Sequence, residues 1–170
     1  MDVLAVENLS SNKLLGEMMS RKDRELPVEL IPEVMEQALF GTLATVNKDG
    51  VPYSLPISYV YDGKAVYVHG TTTGQKIDNI MANPNVSFSV VTDVETLPDK
   101  FSTKYKSVII TGTAEIIPSD AEEWGYALKL FLDKYSADFM EPGMKYINSA
   151  HKSTAVIKIN VDQLTAKGHL

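Results

Sequence analysis

The chain has 170 residues, no cysteine and a formal net charge of −6. That length fits one domain with a proper core. The acidic balance argues against nonspecific binding to nucleic acid or to an anionic membrane, and the lack of cysteine excludes disulfides, thiolate catalysis, Cys-ligated zinc and iron–sulfur clusters.

No apolar run approaches the ~20 residues that span a bilayer, and the N-terminus lacks the charged-then-apolar pattern of a secretory signal. The expectation is an intracellular, cytoplasmic protein. Residues 1–20 read as an arm carrying Leu14, Leu15, Met18 and Met19, and residues 21–170 as a single domain. The run Arg21–Leu26 reads as a solvated charged connector. Leu30, Ile31, Val34, Met35, Ala38 and Leu39 then predict a helix with one apolar stripe, with Pro32 tolerated in its first turn and Gly41 closing it.

From there the pattern is antiparallel sheet. Thr42–Val46 is a strand, and Asn47-Lys48-Asp49-Gly50 carries a hairpin signal. Val51–Tyr61 is a second strand whose Pro52 and Pro56 predict an edge, bend or bulge. Asp62-Gly63 turns the chain into a third strand, Ala65–His69, in which His69 shares a face with Ala65 and Tyr67. Residues 93–106 read as irregular, between a fourth strand at Val86–Val91 and a fifth at Ser107–Ile117, with Gly112 at a bend. Ser119 and Glu122 have capping-box spacing before a helix bearing Trp124, Ala127, Leu128, Phe131 and Tyr135 on one face. A short helix over about residues 142–150 and a last strand, Thr154–Val161, complete the reading. There is no βαβ alternation, so a doubly wound parallel sheet is disfavoured. The closely spaced strands predict a meander curling into a barrel.

Chemistry concentrates in one place. After Ala65–His69, Gly70 breaks the strand, three threonines follow, and Gly74, Gln75 and Lys76 open a helix marked by Ile77, Ile80 and Met81. Hydroxyls, free backbone N–H groups and an ammonium at a helix N-terminus suit a phosphate. The same residues also serve as turn and cap at a plain strand–helix junction. The P-loop pattern is absent. His69 stands beside this turn, as a structural histidine or a functional one. Tyr59, Tyr61 and Tyr67 offer either core packing or an aromatic lining, and Lys104, Tyr105 and Lys106 either added positive charge or a solvated loop. No nucleophile elbow and no metal-spaced histidine pair occurs. A chain with a phosphate turn and little chemistry of its own suits a phosphorylated cofactor.

In order along the chain come Arg21–Glu25, Gly41–Thr45, Gly50–Pro56, Tyr61–Gly63, Tyr67–Gly70 with Gly74–Lys76, Asn83–Phe88, and Tyr105–Val108 with Gly112. This ordered set, spread over about residues 20–165, resembles the flavin-binding split-barrel proteins related to pyridoxamine 5′-phosphate oxidase, and most of all their nitroimidazole-resistance (Nim-type) branch. The resemblance implies an α+β fold, a six-stranded antiparallel split β-barrel with flanking helices. It also implies a homodimer with FMN at the subunit interface. FAD, haem or a deazaflavin are the alternatives that relatives of the fold take. Thr71, Thr72 and Lys76 would hold the phosphate, with Gly70 and Gln75 in the same turn. Leu55, Pro56, Ile57 and Ser58 would run along the ring with backbone donors. His69 would be the catalytic candidate, and Tyr105 and Ser107 further cofactor or interface contacts. The implied activity is reduction of a small acceptor such as a nitro compound, with a visiting NAD(P)H or another flavoprotein as electron donor. A non-catalytic flavin or haem carrier or sensor is the alternative. Only Lys167 and His169 are cationic near the C-terminus, which disfavours vitamin B6 oxidation.

Overall fold

Asn47 shows how local chemistry starts the sheet. Its side-chain oxygen accepts the N–H groups of Asp49 and Val51 at 2.9 and 2.8 Å, and Gly50 takes the positive φ of 80° that the tight turn needs. Strand β1 (Phe40–Val46) is thereby folded back on β2 (Pro52–Tyr61). A computed structural model describes residues 21–149 and 153–170. In it β3 (Ala65–Thr71), β4 (Asn85–Leu97), β5 (Ser102–Ile117) and β6 (Thr154–His169) complete a closed ring in the order β1-β2-β3-β6-β5-β4, with every pairing antiparallel. Helices α1 (Ile31–Gln37), α2 (Gln75–Ala82), α3 (Glu122–Tyr135) and α4 (Met140–Ser149) flank it. The fold class is therefore α+β, as expected, with a six-stranded ring at its centre.

The strands' period-two alternation sorts the core into two layers. Val66 and Val68 of β3 point inward with Leu43, Tyr59, Phe88, Ile110 and Ile157. Ala65 and Tyr67 point outward and are roofed by Trp124, Ala127, Leu128 and Phe131 of α3. The helix stripe predicted from Trp124 to Phe131 is thus the buried one, and Tyr135 packs at its edge.

Several expectations need correction. The first helix ends at Gln37, because Ala38 is already extended (φ −72°, ψ 120°) to enter β1, and Leu39 is 60% exposed. Gly41 is not a helix stop. It lies in β1, where a Cβ would sit 2.1 Å from the Phe88 ring. Residues 93–106 are not irregular. β4 and β5 continue as a ribbon to a tip at residues 98–101, with a register shift between Thr92 and Glu95. Their mixed, half-exposed side chains conceal the pairing. β6 likewise runs on to His169, eight residues past the expected Val161. The capping box does not form. A turn closes from Ala121 N–H to the Pro118 carbonyl at 3.0 Å, and α3 starts at Glu122 with no side-chain cap. The Arg21–Leu26 run is more than a connector, since the backbone of Glu25 forms an antiparallel β-bridge with that of Lys167 and the Leu26 N–H bonds the Ala166 carbonyl at 3.0 Å. Gly112 does mark an irregularity, a bulge where a Cβ would meet the Asn160 carbonyl oxygen at 1.9 Å. The predicted arm, residues 1–20, lies outside the described residues.

Candidate functional site

β2 changes neighbours along its length. Residues 52–58 pair with β1, while pairing with β3 covers only Tyr59–Tyr61 against Val66–Val68. β3 meanwhile stays on β6 through Thr71. The ring is therefore split between residues 52–58 of β2 and the last three residues of β3, His69, Gly70 and Thr71. The Asn47 N–H bonds the Val51 carbonyl. By strand alternation, the backbone groups of Tyr53, Leu55 and Ile57 then face β1, and those of Pro52, Ser54, Pro56 and Ser58 face the split. Two of these four residues are prolines and donate nothing. The donor of the predicted Leu55–Ser58 segment is thus the Ser58 N–H, with the carbonyls of Pro56 and Ser58 as acceptors beside it.

The far side of the split ends in the turn singled out by sequence. Gly74 takes φ 111° at the N-cap of α2, and no side chain caps that helix. The Thr71 hydroxyl donates to the Thr73 carbonyl at 2.8 Å, and Lys76 Nζ donates to Thr71 Oγ1 at 3.3 Å. Lys76 lies back across β3 because residue 70 is glycine. A Cβ there would stand 3.2 Å from both Cε and Nζ of Lys76. Thr72 and Gln75 are exposed on the same turn. The helix is anchored below by buried Asn79, whose amide donates to Thr45 Oγ1 at 2.9 Å. One ammonium, uncapped helix N–H groups and the side-chain-free Gly70 thus lie together on an exposed turn, a chemistry that suits a dianion.

His69 shares a face of β3 with Ala65 and Tyr67, as expected, and the structure makes this the outer face, under α3. Its ring meets Phe131 of α3 edge-on, with centroids 4.3 Å apart, and its Nδ1 is buried without a hydrogen-bond partner. Burial lowers its pKa, favouring the neutral imidazole. Phe131 in turn stacks on Tyr135 at 5.8 Å. The Tyr135 hydroxyl accepts the Tyr59 N–H at 3.0 Å and donates toward the carbonyls of Tyr59 and Leu39 at 2.7 and 2.8 Å. Lys134 Nζ donates to the Met35 and Ala38 carbonyls at 2.9 and 3.0 Å and stands 4.2 Å from the centre of the Tyr59 ring. These α3 contacts carry no local sequence signal, since partners in Met35–Tyr59 are remote from residues 131–135. The apolar stripe was their only trace.

Other predicted residues fall elsewhere. Tyr59 is fully buried and its hydroxyl donates to the Met35 carbonyl at 2.8 Å, so it is core. Tyr67 donates to Glu123 at 2.9 Å beneath α3. The Tyr61 hydroxyl is buried without a partner, and burial pushes its pKa up to about 12. Lys106 is held by Glu33 and Asp93 at 2.7 and 3.0 Å, so it adds no free positive charge. Tyr105 and Ser107 pair with His169 and Lys167, whereas Thr71 pairs with Thr154 at the other end of β6. Thirteen residues of strand, roughly 40 Å at the usual rise, separate these ends, so one chain does not bring Tyr105 and Ser107 to the turn. A cleft of about 420 Å³ lies at their end, between Arg21–Pro27 and Gly168–Leu170, while residues 71–75 are exposed. Among the described residues no cluster of His, Asp and Glu could hold a metal, and no helix is long and apolar enough to cross a membrane.

The overall fold recurs in known proteins. A 5a,11a-dehydrotetracycline/5a,11a-dehydrooxytetracycline reductase of Streptomyces rimosus is 33% identical over 88 residues, 49% of this chain and 59% of that protein. The chain thus spans little more than half the length of that curated relative. A FAD-binding protein of Mesorhizobium loti superposes with a TM-score of 0.63 at 28% identity, covering 86% of this chain and 98% of that one. A proposed 5-nitroimidazole antibiotic resistance protein of Bacteroides thetaiotaomicron gives a TM-score of 0.66 at 23% identity over 82% of each chain. The family model for pyridoxamine 5′-phosphate oxidase matches residues 28–168, from the turn before α1 almost to the end of β6. The whole ring with its split lies inside that match, and the chain belongs to the pyridoxamine 5′-phosphate oxidase family, with flavin-binding proteins among its structural neighbours.

Proposed function

We propose that this chain binds FMN in the split between β2 and β3 and is a flavin-dependent oxidoreductase that reduces a small acceptor such as a nitro compound. The observation that carries the reading is the juxtaposition of an open strand edge with a phosphate cradle. The Ser58 N–H and the carbonyls beside it offer a donor and acceptors to the polar edge of a flat ring. Gly70, Thr71, Thr72, Gln75 and Lys76 offer an anion site at the end of the same opening. The buried Nδ1 of His69, beside this edge, has no hydrogen-bond partner within the described residues. The residues present therefore fit a phosphorylated flavin. Bound there, a flavin would supply the electron transfer. The chain's own part would be to hold the phosphate through Lys76, orient the ring along Pro56–Ser58, and present a neutral imidazole from His69.

The similarity to a dehydrotetracycline reductase supports reduction of a small organic acceptor, and the resemblance to a nitroimidazole-resistance protein supports a nitro acceptor. Electrons would come from NAD(P)H or another flavoprotein. A homodimer fits the same reading, because Tyr105 and Ser107 reach a cofactor at Thr71–Lys76 only if a second copy supplies them. The test is the absorbance spectrum of the purified protein with added FMN or FAD, followed by NAD(P)H oxidation with nitro compounds and quinones. Shifted flavin bands with turnover support the oxidoreductase. Bound flavin without turnover moves the reading to a carrier, a Soret band moves it to haem, and a protein that ignores both flavins removes it.

A further inference from the structure

We propose that Phe131 is the positioning residue of the His69 imidazole, and that Lys134 and Tyr135 are built into the same helix turn to lock Phe131 in place. This rests on the reading that His69 faces the bound ring. Phe131 is 7% exposed and lies at the end of the buried stripe of α3. Its ring stands at 80° to the imidazole, the edge-to-face geometry favoured by aromatic quadrupoles. That contact covers one side of the His69 ring with hydrocarbon, and its Nδ1 is buried without a hydrogen-bond partner.

The next turn is clamped unusually well. An ammonium serves the last carbonyls of α1, and the Tyr135 hydroxyl serves both backbone groups of Tyr59, the residue at which β2–β3 pairing begins. At its other end α3 is pinned by the Trp124 indole N–H on the Thr154 carbonyl at 3.2 Å, and by Glu123, which receives Tyr67 at 2.9 Å and Lys158 at 2.7 Å. The helix therefore cannot slide without breaking bonds at both ends, and Phe131 is fixed against β3 between them.

No charge competes with this wall among the described residues. β6 places Val156 beside His69, α3 places Phe131 with Tyr135 behind it, and β2 pairing has stopped before Ser58. Lys134 is spent on carbonyls and Lys158 on Glu123, and burial lowers the pKa of the ring.

The decisive experiment is an NMR titration of the imidazoles in the full chain, with His69 assigned from a His69→Gln variant, in wild type, Phe131→Leu, Phe131→Ala and Ile147→Ala. Ile147→Ala cuts the same apolar layer from α4 and serves as the control. Phe131→Ala is expected to bring His69 up toward the ordinary value of about 6.5. Phe131→Leu, which keeps the bulk and the fold, should give a smaller rise, and Ile147→Ala none. In the presence of FMN the same order should appear as a several-fold loss of flavin affinity. A His69 titration that stays put in both folded Phe131 variants overturns the proposal, as does an equal shift in Ile147→Ala. If Phe131 variants move the titration but FMN leaves His69 unperturbed in wild type, the positioning role stands and the flavin site fails.

Discussion

The two parts of β2 differ in what lies along their edges. From Tyr59 to Tyr61 the strand pairs with β3, and the Tyr135 hydroxyl satisfies the backbone of Tyr59 on the other side. From Pro52 to Ser58 it pairs with β1 alone, its side toward β3 is open, and two prolines remove half the donors that edge would show. One strand thus supplies both a closed barrel wall and an open edge. Which stretch becomes which depends on how far the neighbouring strand and the covering helix reach, since every residue of either part is compatible with a strand.

Deep in the closed part the largest effect is expected from Phe88→Ala. Phe88 is 1% exposed, packs edge-on against Tyr59 at 4.9 Å and fills the space left by Gly41. Loss of about 3–5 kcal/mol in urea unfolding should follow, with flavin affinity per folded molecule unchanged. An equal loss of affinity would show that open edge and wall are one unit. On the open side, Lys76→Ala should weaken FMN binding by about 1.5–3 kcal/mol, the worth of a hydrogen bond to a charged group, and leave the unfolding midpoint where it is. Unchanged affinity by flavin fluorescence titration would move the phosphate away from this turn. Tyr135→Phe tests the junction of the two parts. It strips the Tyr59 N–H and two carbonyls of their shared partner, and about 1–3 kcal/mol of stability should go. A neutral result would mean that water replaces the hydroxyl.

The smallest effect is the pH dependence of stability contributed by His69. Its folded pKa is depressed by burial, so below the ordinary value of about 6.5 the unfolded chain binds a proton that the folded chain resists. Stability from this residue is whole above that pH and declines as pH falls through it toward the lower folded pKa. His69→Phe should flatten this slope in thermal melts between pH 7 and 5, and an identical slope would remove His69 from the acid response.

Periodicity and turn chemistry made most of the ring legible from the residues alone. Asn47–Gly50 and Asp62-Gly63 fix two hairpins locally, and the alternation of Ala65–His69 already put His69 on one face with Ala65 and Tyr67. The turn from Gly70 to Lys76 was visible for the same reason, because glycine, hydroxyls and a lysine compressed into one strand–helix junction have a local signature. The ribbon at residues 93–106 was not visible, since its residues pair with each other and with β6 but bury little, so hydrophobic periodicity never marks them.

What the sequence by itself determined is therefore the set of strands, the edge character that Pro52 and Pro56 confer on β2, and the chemistry of the turn, all of which arise within a few residues of chain. Tertiary structure alone decided that the ring opens between β2 and β3, that Tyr105 and Ser107 stand at the far end of β6 from that opening, and that Phe131 closes over His69 while Lys134 and Tyr135 tie the same helix to Met35–Tyr59. Each of these depends on register between segments tens of residues apart, and register is set by which faces bury together and not by any local pattern.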